Sequence, residues 1–179
     1  RNTFFKLQKD AAIKSYQAIA QIYLSMYRVN IQANTFETIK THGIIESNRT
    51  SSANTDFQQQ VWAIADATVT EDYVEEVKTF TNLATLEQRL ENSIFIEHEF
   101  VGKIAGWCRH QFIVADRDAK GHILNVIYTV EIINEAKKRE NHLRYLAQTD
   151  MLTGLNNRGS GEQKVKKLLQ QGQPGALAL

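Results

Sequence analysis

The spacing of apolar residues along the chain changes several times, and each change marks an element. Between about Thr3 and Ala20, Phe5, Ala12, Tyr16 and Ile19 make one apolar stripe among charges, which predicts an amphipathic helix. Ile22 to Val29 is rich in β-formers and Asn34 to Ile39 alternates, with turn residues Asn30 to Asn34 between them, so a hairpin is expected. Ser47 to Asp56 is a polar loop. Helical spacing returns at Gln58 to Ala67, with Val61, Trp62 and Ile64. Thr68-x-x-Glu71 then matches a capping box opening a helix through Val74, Val77 and Phe80. A short helix is predicted across Leu83, Leu86 and Leu90.

Period-two alternation follows. Ile94, Ile96, His98 and Phe100 share one face and Glu97 and Glu99 the other. Trp107 to Ala115 is the next strand, closed by a turn at Asp116 to Gly121. In the last, Leu124, Val126, Tyr128, Val130 and Ile132 oppose Asn125, Thr129 and Glu131. One apolar and one polar face per strand is the pattern of an antiparallel sheet. The fold class is therefore α+β, a sheet of about five strands with helices on one face, flanked by amphipathic helices.

From Ile132 the spacing becomes helical. Ile132, Ala136, Arg139, Leu143 and Leu146 step by four and three, the seam of a short coiled coil. Arg139 fits that seam badly, and Ile133, Ala136, Glu140, Leu143 and Ala147 form a rival register. The expected organisation is an N-terminal helix (1–19), a sheet domain (20–131), a linker helix (132–149) and the start of a further domain (150–179). The run Ala176 to Leu179, after Gly172 and Pro174, begins a buried-strand pattern, so the chain is expected to continue.

Composition narrows the partners. The chain carries 21 basic and 20 acidic residues, a net charge of +1, with no basic face for nucleic acid. No apolar run approaches the ~20 residues that cross a bilayer. The single cysteine, Cys108, allows no internal disulfide and fits a reducing, cytoplasmic setting as a buried, inert thiol. His42, His110, His122 and His142 lack metal-ligand spacing. Trp62, His98, Phe112 and Tyr128 are candidates to line a ligand pocket between helices and sheet. His98 has two readings, a group orienting a ligand or a core histidine bonded to backbone.

The order helix, two strands, helical middle, three strands and exit helix resembles a PAS domain. Phe80-Thr81-Asn82-Leu83-Ala84-Thr85-Leu86, Gly106-Trp107-Cys108-Arg109 through Phe112-Ile113, and Asp118 to Gly121 carry the likeness. They resemble the sensor domains fused to bacterial GGDEF proteins. Thr149 to Arg158, TDMLTGLNNR, is similar to the D-x-L-T-G-L-x-N-R signature that begins GGDEF domains, with Asp150, Leu152, Thr153, Gly154, Leu155, Asn157 and Arg158 in register. Gly159 departs from the bulky residue usual after the arginine. Ser160-x-x-Gln163 is expected to cap the next helix, and Asp150 to accept from backbone or from Arg158.

The resemblance implies a regulatory module acting as a homodimer through a seam at Ile132, Ala136, Leu143 and Leu146. A small molecule of unknown identity is the possible signal. The parent protein would be a diguanylate cyclase using Mg²⁺ and two GTP to make cyclic di-GMP, with its GGDEF or GGEEF hairpin beyond Leu179. No catalytic residue, metal or cofactor is then expected in this chain. Two alternatives remain, a ligand-free dimerisation module and a regulator of a degenerate, nucleotide-binding GGDEF domain.

Overall fold

The computed structural model describes residues 23–43, 56–150 and 152–172. The predicted N-terminal helix, the polar run from Ser47 and the apolar Ala176–Leu179 segment lie outside them. The chain divides into two compact units, Arg1–Asn134 and Glu135–Leu179.

In the first unit, β1 (Tyr23–Asn30) and β2 (Thr35–Lys40) form the expected hairpin. Its turn ends on Asn34 at φ 53°, a left-handed conformation that asparagine tolerates. Helix α1 (Phe57–Thr68) is capped by Asp56, whose Oδ1 accepts from the Gln59 N–H at 2.7 Å. Helix α2 (Glu71–Phe80) starts from Thr70, and the Thr68-x-x-Glu71 capping box does not form. Thr68 instead closes α1, donating its hydroxyl to the Ile64 carbonyl, and the Thr70 hydroxyl donates to the Val101 carbonyl. A 3-10 turn (Leu83–Thr85) and the short α3 (Leu86–Arg89) follow.

Strands β3 (Phe95–Gly102), β4 (Gly106–Arg117) and β5 (Ile123–Ile132) complete the unit. Among the described residues the five strands make one antiparallel sheet in the order β2-β1-β5-β4-β3. The first and last strands of the unit are therefore neighbours. Its inner face, with Tyr27, Val29, Phe112, Val126 and Tyr128, packs on Phe57, Val61 and Ala65 of α1 and Val77 and Phe80 of α2. Each fully buried apolar side chain contributes about 1.5–3 kcal/mol. On the outer face Arg109 sits in register with Glu99 and Glu131 and bonds both, at 2.9 and 3.4 Å.

Strand ends depart from the sequence pattern. Ile123 is fully buried where Leu124 was expected, because the register shifts between Val114 and Arg117 on the facing strand. Ile94 precedes β3 and is exposed. Ile132 is the last residue of β5, paired with Cys108, so it does not belong to the linker helix.

That helix, α4 (Asn134–Gln148), opens two residues later than its spacing suggested. It carries the pairs Lys138–Glu135, Lys137–Glu140 and Arg144–Glu140. Ala136 and Leu143 are exposed on it and Leu146 is half-buried. In the second unit α4 leads through a tight turn into α5 (Arg158–Gln170). Among the described residues no helix is long and apolar enough to cross a membrane.

Candidate functional site

A cavity of about 210 Å³ lies inside the first unit. Val61 and Ala65 of α1, Tyr27 and Ser25 of β1, and Cys108 and Tyr128 on the sheet border it. The β3–β4 turn, Gly102 to Ala105, closes one side. An apolar void of this order holds a molecule the size of a small ring. The Ser25 hydroxyl on this wall is buried with no hydrogen-bond partner among the described residues. Burial lifts the Cys108 thiol to about 11, so it is protonated and inert at neutral pH.

Beside the cavity four side chains from four elements form one hydrogen-bonded line. Glu76 of α2 meets His98 Nε2 at 3.1 Å, and His98 Nδ1 meets His110 Nε2 at 3.0 Å. His110 Nδ1 then meets the Tyr128 hydroxyl at 3.1 Å. His98 and His110 are directly opposed across β3 and β4, which fixes their approach. His110 is fully buried, stacked under Phe80 with ring centres 4.0 Å apart. Burial, and then the neighbouring His98, hold its imidazole well below the usual histidine range. Burial likewise pushes the Tyr128 phenol far up, so both groups are neutral.

The sheet hands over to α4 at Asn134. Its Oδ1 accepts from the Trp107 N–H at 2.7 Å, its Nδ2 donates to the Ala105 carbonyl at 2.8 Å, and the Ile133 N–H donates to the Trp107 carbonyl at 2.8 Å. The first residue of α4 is thus bound to the turn that walls the cavity.

In the second unit the TDMLTGLNNR run is a self-bonded turn. Asp150 Oδ1 accepts from the N–H groups of Leu152 and Thr153 and from the Thr153 hydroxyl, at 3.2, 2.9 and 2.8 Å. These bonds, that of the hydroxyl foremost, hold its carboxyl below the usual range. Gly154, at φ 72°, allows the reversal. Asn157 is the N-cap of α5, accepting from the Ser160 N–H at 3.0 Å, while its Nδ2 donates to the Ala147 carbonyl at 2.7 Å. The cap is therefore Asn157 and not Ser160, and Arg158 pairs with Glu162 instead of Asp150. Leu152 and Leu155 are exposed.

Of the four pocket candidates, Tyr128 borders the cavity. Trp62 donates through Nε1 to the Thr81 hydroxyl at 3.2 Å, tying α1 to the end of α2. Phe112 is fully buried core, and His98 bonds side chains of Glu76 and His110. The sequence reading weighed His110 only as a metal ligand, although alternation with Cys108 and Phe112 places it on the inner face. It also passed over Glu76 and Asn134, whose partners are distant in sequence. Among the described residues no group of three His, Cys, Asp or Glu could hold a metal ion. No protein-family model matches the chain, and no curated protein matches it.

Proposed function

We propose that the chain is a cytoplasmic, PAS-like sensory module that pairs with a second copy and passes a change in its core through α4 to a GGDEF-type domain. The observation that supports this reading most directly is the Asn134 junction. The β3–β4 turn borders the cavity, it is bonded to the first residue of α4, and α4 runs to the Asp150 turn. A two-state element biased by the cavity and read at the helix is what signal transmission requires.

Other features agree with it. Among the described residues the sheet orders its strands so that the first and last are neighbours, and helices α1 to α3 fall between the second and third strands in sequence. The Asp150 turn gives each polar residue of the GGDEF-like opening motif except Arg158 a bond within the turn or at its ends. On this reading Mg²⁺ and GTP belong to a catalytic domain beyond Leu179, where two protomers each present one GTP and pairing geometry limits the rate. The residues of this chain sense, pair and position.

The test is cyclic di-GMP synthesis by the full-length protein and by its Asn134→Ala variant. A severalfold change in rate, with GTP binding intact, supports transmission through the junction. Equal rates refute that route. A full-length protein that binds GTP and makes no cyclic di-GMP refutes the cyclase and leaves a regulator of a degenerate domain.

A further inference from the structure

The line Glu76–His98–His110–Tyr128 has only one proton arrangement while both histidines are neutral. A carboxylate accepts and cannot donate, so His98 Nε2 carries a hydrogen directed to Glu76. His98 Nδ1 is then bare and accepts from Nε2–H of His110. His110 Nδ1 is bare in turn and accepts from the Tyr128 hydroxyl. Every hydrogen points outward, from the core toward Glu76.

One added proton inverts this. Each ring nitrogen of the line already has a partner, and His98 is the histidine within reach of solvent, its side chain 27% exposed beside a carboxylate 60% exposed. A doubly protonated His98 donates from both nitrogens, so His110 must offer it a bare Nε2 and carry its own hydrogen on Nδ1. Tyr128 then accepts from His110, and its phenolic hydrogen needs a new partner beside the cavity that Tyr128 borders.

We propose that these four residues are an acid-sensitive switch, in which protonation of His98 flips the tautomer of His110 and turns the Tyr128 hydroxyl from donor to acceptor. The surroundings place His98 between solvent and the core, facing Glu76. Glu76 of α2 supplies the facing charge, and Phe80, under the Arg89 guanidinium of α3 at 5.6 Å, covers His110. Lys78 of α2 is committed to Asp66. Glu97 and Glu99 of β3 lie on the opposite face with Arg109. Near Tyr128 stand Tyr27 of β1, stacked at 6.4 Å, and the protonated Cys108 of β4. That acidity is the signal of the module rests on the sensory reading above; the reversal itself does not.

Nitrogen-15 NMR of the histidine-labelled chain, titrated from about pH 8 to about pH 5, reads the tautomers directly. His110 should carry its hydrogen on Nε2 at the alkaline end and on Nδ1 once His98 is doubly protonated, so its two ring-nitrogen resonances exchange places. A single His110 tautomer on both sides of the His98 titration overturns the proposal, as does an Nδ1 hydrogen at the alkaline end. In His98→Gln the His110 resonances should hold their places throughout, and an exchange there also overturns it. An intact switch in a protein whose full-length output ignores pH would refute acidity as the signal and leave the switch standing.

Discussion

A Cβ built on Gly106 would stand 2.6 Å from Oδ1 of Asn134. The turn before β4 and the first residue of α4 are fitted to each other so closely that the smallest side chain does not fit between them. Gly106 also sits at φ 73°, where an L side chain is strained. Gly106→Ala should therefore destabilise the first unit by about 1–3 kcal/mol, and Asn134→Ala by a similar amount through its lost bonds. The double variant should lose less than the sum, because removing Asn134 removes the clash. Urea denaturation midpoints check all three, and strict additivity would mean the two sites are uncoupled.

Acid should destabilise the fold through His110. An unfolded imidazole takes its proton near pH 6.5, whereas His110 in the folded chain stays neutral to lower pH. Below about pH 6.5 the unfolded state binds the extra proton, so stability falls as pH falls, by at most about 1.4 kcal/mol per unit. Denaturation across that range should show the slope in the wild type and a flatter one in His110→Gln.

Alkali acts through Cys108 with the opposite sign. An unfolded thiol loses its proton near about pH 8.5, and the folded one holds it to about 11. Stability attributable to the thiol is complete below about 8.5 and declines as pH rises toward 11. Cys108→Ser should lack that decline, and a disulfide reagent should label Cys108 only at the rate of unfolding.

The Asp150 turn should behave as a local unit. Asn157→Ala removes the cap of α5 and should cost that helix about 1 kcal/mol. Asp150→Ala should speed amide exchange at Leu152 and Thr153, whose N–H groups it holds, without changing exchange in β4 or β5. Protection factors by hydrogen exchange distinguish the two.

The exposed positions of α4 carry the pairing proposal. Leu143→Asp with Leu146→Asp places charge on the seam and should shift the chain toward monomer in light scattering. An unchanged mass would remove these residues from any pairing surface.

Alternation and helical spacing determined the order of the described elements and the inner face of β3 and of the middle of β5, where Phe100, Val126, Tyr128 and Val130 are buried. Those are local properties, carried by periods of 2 and 3.6 that each segment displays alone. The tight turn from Asp150 into α5 was legible for the same reason, since its bonds are local, the one from Asn157 to Ala147 spanning ten residues. The ends were less so. Thr68 was read as the cap of α2, yet its hydroxyl bonds Ile64 one turn back and closes α1, while Thr70 stands at the N-cap and gives its hydroxyl to Val101 of β3. Ile132 fits a heptad by spacing and lies in a strand because Cys108 pairs with it. What only the folded chain decided is which distant residues meet. Placing β5 between β1 and β4 brings Tyr128 to His110, the register of β3 on β4 brings His110 to His98, and packing of α2 on that sheet adds Glu76. No period in the sequence encodes such a meeting, because it depends on strand order and register, which are settled by the whole core at once.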